Sequence, residues 1–366
     1  MINEESSPEL VQLARALGVV SNDPFQGTVA TCLAMVESWV EQSGGIGPSG
    51  ISNAAEFQRL LTHRLALAIE EIHSEEDFDR LTDFYARQRG EYVFAGLRAR
   101  FDNEDCDGDE ATFGVLIRRR NALPEDTDKF VAVVDCRGEK HARRYFTRWH
   151  EIAHRMTTHS DCVDDGEEYQ GELIEVLMDA IASELGFFEP FLQTAVHNVF
   201  GSENWLTFEM IERIIDDVFP EASFQSTLFA CMRSSPMPMV YVELDGHPLA
   251  FKKIIPNKAA QADGLLYRSR TKHTQDLEQN TPAKPHVTQL ALGALPAEGS
   301  VFHRVSQRPL LSEEIEHLSM DLLAMRQGMQ MNSTESGSEA RKRLHEILTH
   351  AQARHVPGKI IGLLQY

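Results

Sequence analysis

In the stretch RRYFTRWHEIAHRMTTH, Arg143 to His159, two histidines stand four residues apart with a glutamate directly after the first: His150, Glu151 and His154. Four residues of α-helix advance about 400° and rise about 6 Å, so the two imidazoles share one face and can meet a single ion. Glu151 lies about 100° round the helix. There its carboxylate stands beside such an ion rather than on it, placed to take a proton from water and deliver it to a leaving amine. That is the chemistry of metal-assisted amide hydrolysis, and zinc is the ion that suits these donors. Two histidines do not complete the centre, because catalytic zinc generally takes three protein ligands and keeps a fourth position open.

The third ligand must come from another element. A helix expected over Glu168 to Phe188 carries Glu168, Glu172, Glu175, Asp179 and Glu184. Within it Glu175, Met178, Asp179 and Ala182 form one stripe at spacings of three and four, flanked by the apolar Leu177, Ile181 and Leu185. A carboxylate on a partly buried stripe needs a partner, which a metal supplies. The residues alone leave Glu175 with two readings: a ligand, or part of a solvated charged face like that expected for Glu168 and Glu172.

The motif residues depend on the elements that hold them. Residues 1–90 read as a helical N-terminal extension, from PELVQLARALG, TVATCLAMVESWVEQ, AAEFQRLLTHRLALAIEEI and EDFDRLTDFYARQRG, with SGGIGPSGISN as a loop. From about Glu91 strand signals take over in YVFAGLRARF, FGVLIRR and KFVAVVDC, separated by DNEDCDGDEA and NALPEDTD. The motif helix then runs from about Lys140 to Thr158, and the polar loop SDCVDDGE leads to the second helix, which Pro190 closes. Two short helices about a turn follow in WLTFEMIERIIDDVFPEASFQSTLFACMRSS, then a strand in MPMVYVEL. The remainder mixes strand-like runs (LAFKKII, GLLYRSR, KIIGLLQY) with polar segments at QNTPAKPHVTQ and MNSTESGSE.

Asp and Glu number 56 against 35 Lys and Arg, a net charge of −21 that repels phosphate backbones and anionic membranes. No apolar run reaches the ~18 residues of a membrane span and the first residues carry no apolar leader, so a cytoplasmic protein is expected. Five scattered cysteines, none in a C-x-x-C pair, argue against both a disulfide framework and a cysteine-rich zinc site.

With these motifs the chain resembles the ImmA/IrrE metallopeptidases, in which an apolar-Thr segment leads into H-E-x-x-H and a second helix bears E-x-x-A-N-x-F-A-x-x-L-L-x-P. Phe146 and Thr147 match the lead-in, His150, Glu151 and His154 the motif, and EVLMDAIASELGFFEP the second helix. The match makes Glu175 the third zinc ligand and sets Asp179 where the family has Asn. Trp149 departs from the small residue usual before the first histidine, Met178 replaces an Ala, and Pro190 comes later than in the family pattern. The resemblance covers about Lys129 to Leu244.

It implies an α+β chain: a minimal zincin-like metallopeptidase domain over residues 91–200, a helix-turn-helix-like segment over 201–240, and a C-terminal α/β, GAF-like sensor domain over 241–366. It further implies a zinc endopeptidase whose substrate is a helix-turn-helix transcriptional repressor. KFVAVVDC could then pair with an extended substrate segment, and His141, Tyr145 and His159 are near enough in sequence to be weighed as oxyanion partners. Two other readings compete. A DNA-binding regulator is disfavoured, since Trp205 to Arg233 holds only Arg213 and Arg233 as basic residues. A non-catalytic zinc-containing adaptor or ligand sensor has no use for Glu151.

Overall fold

The computed structural model describes residues 7–102, 112–158, 171–200, 206–234, 239–245, 267–273, 313–317, 350–356 and 359–365. The expected segments DNEDCDGDEA (after Asp102), SDCVDDGE, LAFKKII, QNTPAKPHVTQ and MNSTESGSE, and His159 with them, lie outside the described residues. The chain is a mixed α+β protein, and it divides into two compact units: Met1–His197 with Arg213–Thr227, and Asn198–Glu212 with Leu228–Tyr366.

The first unit opens with three helices, α1 (Pro8–Ala16), α2 (Pro24–Gln42) and α3 (Ala54–Arg64). Each begins at a side-chain cap: Ser7, Asp23 and Asn53 accept hydrogen bonds from backbone N–H groups of the first turn. The expected continuation of α3 does not form. Ala66 turns into the left-handed region at φ 48° and ends the helix, and Leu67–Ile72 extend as strand β1. Helix α4 (Glu75–Leu81) follows and widens into a π-helical turn over Thr82–Gln88.

YVFAGLRARF, expected as a strand, is a 3-10 turn (Tyr92–Gly96) leading into α5 (Leu97–Phe101). Phe94, Leu97 and Phe101 are buried there, at a spacing that one helical face provides. Strands β2 (Gly114–Arg118) and β3 (Phe130–Asp135) fall where expected.

These strands form a three-stranded sheet in the order β1-β3-β2, with β1 parallel and β2 antiparallel to β3. Because β1 belongs to this sheet, residue 90 is not a boundary between compact units. Side chains alternate across the sheet. Ile72, Val131, Val133 and Ile117 face a core with Phe78, Leu81, Tyr85, Phe94, Leu97 and Phe101. The other face is covered by α6 (Arg144–Thr157), which packs on all three strands.

A buried charge network fixes the entry to α6. Arg137 Nε donates to Asp135 Oδ1 at 2.9 Å and Lys140 Nζ to Asp135 Oδ2 at 2.7 Å, tying the end of β3 to the 3-10 turn Gly138–Arg143. Burial would raise the Asp135 carboxyl, but these donors outweigh it and hold the group below its ordinary value.

Helix α7 (Glu172–Gly186) packs along α6, and α8 (Glu189–Phe200) begins beside Pro190, which occupies its first turn. Helices α9 (Phe208–Val218) and α10 (Phe224–Ser234) are the two expected about a turn, and the two compact units divide the expected segment 201–240 between them. In the first unit Phe219 packs edge-on against Phe187 at 5.2 Å.

In the second unit β4 (Met239–Asp245), β5 (Tyr267–His273), β6 (Glu313–His317), β7 (His350–Val356) and β8 (Lys359–Gln365) form an antiparallel sheet in the order β5-β4-β8-β7-β6. The buried Gln352 side chain accepts from Phe208 N at 3.0 Å, satisfying a backbone donor at a helix start. No helix among the described residues is long and apolar enough to cross a membrane.

Candidate metal centre

Helix α6 buries Tyr145, Trp149, Ile152, Ala153 and Met156, which anchor one side of it and leave His150 and His154 on another. Trp149, the bulky departure from the family pattern, is accommodated by a glycine: a Cβ at Gly186 of α7 would lie 2.9 Å from its ring. The Tyr145 hydroxyl donates to the Gly186 carbonyl, so this tyrosine is a packing residue and the link that sets α6 against α7. Met178, a second departure, is fully buried with its sulfur 3.7 Å from Thr157 Oγ1.

With the helices so fixed, three of the sequence-selected side chains converge. His150 Nε2 and His154 Nε2 lie 3.0 Å apart, and Glu175 Oε2 lies 3.1 Å from the first and 3.6 Å from the second. Ligands held about 2.0–2.1 Å from one tetrahedral ion stand about 3.3 Å from each other. The observed spacings bracket that value, and two imidazoles with one carboxylate are a donor set that zinc accepts.

A fourth residue belongs to the arrangement. Asp179 Oδ1 lies 2.8 Å from His150 Nδ1, the ring nitrogen that faces away from Glu175. A carboxylate there fixes the tautomer with Nδ1–H and keeps Nε2 as the free donor atom. The stripe that selected Glu175 also contained Asp179, one turn on; its role required knowing which way the His150 ring turns.

Burial works against a charged His150 ring, but Asp179 and Glu175, with Glu151 behind them, outweigh it and push its pKa up to about 10. Glu175 is held well below the usual carboxylate range by hydrogen bonding to His150 and then to His154. Protons and a divalent cation therefore compete for the same anionic cluster.

Glu151 stands apart from the three, on the side of α6 that faces the sheet, and is 5% exposed. It rests against the first residue of β2: a Cβ added at Gly114 would lie 2.3 Å from Glu151 Oε1 and 2.8 Å from Thr147 Cγ2. Only glycine leaves room for the carboxylate at this strand position. In the sequence, Gly114 carries no signal beyond a glycine at the start of a strand pattern.

The expectation that KFVAVVDC offers an edge to a substrate is corrected. β3 is the central strand and its two edges are taken by β1 and β2. Among the described residues β2 pairs only with β3, so the open edge nearest Glu151 belongs to β2. His141, weighed as an oxyanion partner, has its ring 6.2 Å from that of His73. Neither the family models nor the curated proteins compared with the chain give a match.

Proposed function

We propose that the chain is a zinc-dependent endopeptidase of the ImmA/IrrE type, with a minimal zincin-like catalytic domain, that cleaves a helix-turn-helix transcriptional repressor and so derepresses stress-response or mobile-element genes. The observation that carries this reading is the convergence of His150, His154 and Glu175 within 3.6 Å of one another, with the buried Glu151 one residue along the same helix from His150. When bound, zinc polarises a peptide carbonyl and makes water acidic near neutral pH.

The chain's own residues do the rest. Asp179 holds the His150 ring so that Nε2 stays a donor atom. Glu151, seated against the backbone of Gly114, takes a proton from the attacking water and returns it to the leaving amine. An extended substrate segment pairs with the edge of β2 that is open among the described residues; β2 begins at Gly114 and carries the peptide past Glu151. The second unit serves as a GAF-like sensor domain in this reading, and Cys32, Cys136 and Cys231, free and buried, suit a reducing cytoplasm.

A net charge of −21 favours a basic partner such as the DNA-binding face of a repressor, and disfavours duplex DNA itself. The test is to incubate the zinc-loaded chain with a helix-turn-helix repressor encoded beside it and follow the full-length repressor band. Cleavage is expected, slowed by operator DNA and by salt, and abolished in Glu151→Gln, which still binds zinc. A Glu151→Gln protein as active as the wild type contradicts the reading.

A further inference from the structure

A second group of metal-ligating side chains stands on the α6 side of the sheet. Glu71 pairs with Val134 in the parallel β1–β3 register, and Cys136 N donates to Ile72 O at 2.8 Å, which continues the pairing past the strand ends. Glu71 and His73 are two residues apart along an extended chain and so project to the same face; Val134 and Cys136 are related in the same way on the neighbouring strand. The backbone thereby delivers a carboxylate, an imidazole and a thiol to one place. Their ligand atoms all lie within 4.8 Å of one another, with His73 Nε2 and Glu71 Oε2 at 3.0 Å.

The other atoms of the group are engaged in ways that leave these donors available. Glu71 Oε1 faces Arg148 at 3.3 Å, so Oε2 is the oxygen turned to His73. The Cys136 sulfur makes a long contact of 3.8 Å with the Val134 carbonyl. Cys32 and Cys231 are buried without belonging to such a group, which sets Cys136 apart among the described cysteines. His141, its ring 6.2 Å from that of His73, brings a further imidazole close.

We propose that Glu71, His73 and Cys136 form a second metal site, separate from the His150–His154–Glu175 centre, for a thiophilic divalent ion of the zinc class. A sulfur, a nitrogen and an oxygen donor together exclude magnesium and calcium, which take oxygen ligands, and suit zinc or cobalt. Binding replaces the S–H bond of Cys136 with a sulfur–metal bond and releases that proton to solvent. The half-exposed His73 side chain opens the group to solvent, the side from which an ion would enter. The site joins the ends of β1 and β3, so its ion would cross-link these two neighbouring strands past their last paired residues.

Cobalt titration of the full chain separates this site from the first, because only a thiolate ligand gives a near-ultraviolet sulfur-to-cobalt charge-transfer band. The band should saturate by two equivalents in the wild type and at one in a His150→Ala/His154→Ala protein, and be lost in Cys136→Ser and in His73→Ala. His73 lies at the surface, so His73→Ala decides the matter if Cys136→Ser fails to fold by circular dichroism. No band in the wild type, or a band undiminished in His73→Ala, overturns the proposal and leaves the sulfur-free centre untouched.

Discussion

Replacing Asp179 tests whether the fourth residue of the cluster positions a ligand. Asp179→Ala removes the acceptor 2.8 Å from His150 Nδ1 and touches none of the three converging donor atoms. Loss of such an outer partner costs about 10–100-fold in metal affinity, about 1.4–2.8 kcal/mol. The Asp179 side chain is 55% exposed, so water replaces part of the lost hydrogen bond and the effect should fall at the lower end, about tenfold. Asp179→Asn retains an oxygen acceptor without the charge and should lose less than Asp179→Ala. The assay is competition for zinc against a chelator of known affinity in a His73→Ala background, which confines binding to the first centre. Two-dimensional NMR of the metal-free protein should also show the His150 pKa falling from about 10 in Asp179→Ala, since Asp179 is the foremost of the groups that raise it. Unchanged zinc affinity together with an unchanged His150 titration would refute the positioning role.

Gly114→Ala should damage turnover without removing metal: a Cβ 2.3 Å from Glu151 Oε1 forces the carboxylate away by about 1 Å, a misplacement that can cost about 100-fold in kcat. Repressor cleavage rates with zinc content measured in parallel check this, and full activity in the variant contradicts the seating of Glu151. The metal-free protein should lose stability at alkaline pH. His150 has its folded pKa raised from 6.5 to about 10, so its contribution is whole below 6.5 and lost as pH rises through about 10. Glu175 has the opposite sign: its lowered pKa contributes above 4.5 and is lost as pH falls through the folded value. Thermal unfolding in chelator should therefore show Tm falling between about pH 7 and 10 more steeply in the wild type than in His150→Gln; parallel curves contradict the assignment.

The two helices that carry the centre were legible because their apolar residues recur at helical spacing and their partner faces are polar. Trp149, Ile152 and Met156 are buried as that pattern requires. β1 was misread because LALAIEEI offers apolar residues that suit a helix as well as a strand, and the chain turns at Ala66 with neither Gly nor Pro to mark it. YVFAGLRARF misled in the other direction, its aromatic and β-branched residues suggesting a strand where Phe94, Leu97 and Phe101 form a helical face. The spacing of His150 and His154 could be read from one helix alone. Glu175 needed a second helix whose register against the first is set by Trp149 packing on Gly186, and Asp179, Gly114 and the Glu71–His73–Cys136 group became visible only through contacts between elements far apart in sequence.

Anomalous diffraction at the zinc absorption edge, from crystals of the zinc-loaded chain, tests the central assignment most directly. An anomalous peak is expected bonded to His150 Nε2, His154 Nε2 and one oxygen of Glu175, at about 2.0–2.2 Å from each, with Asp179 still on His150 Nδ1 and Glu151 outside bonding distance. A zinc-loaded crystal with no peak among these three side chains, or with Glu175 turned away from it, would contradict the account.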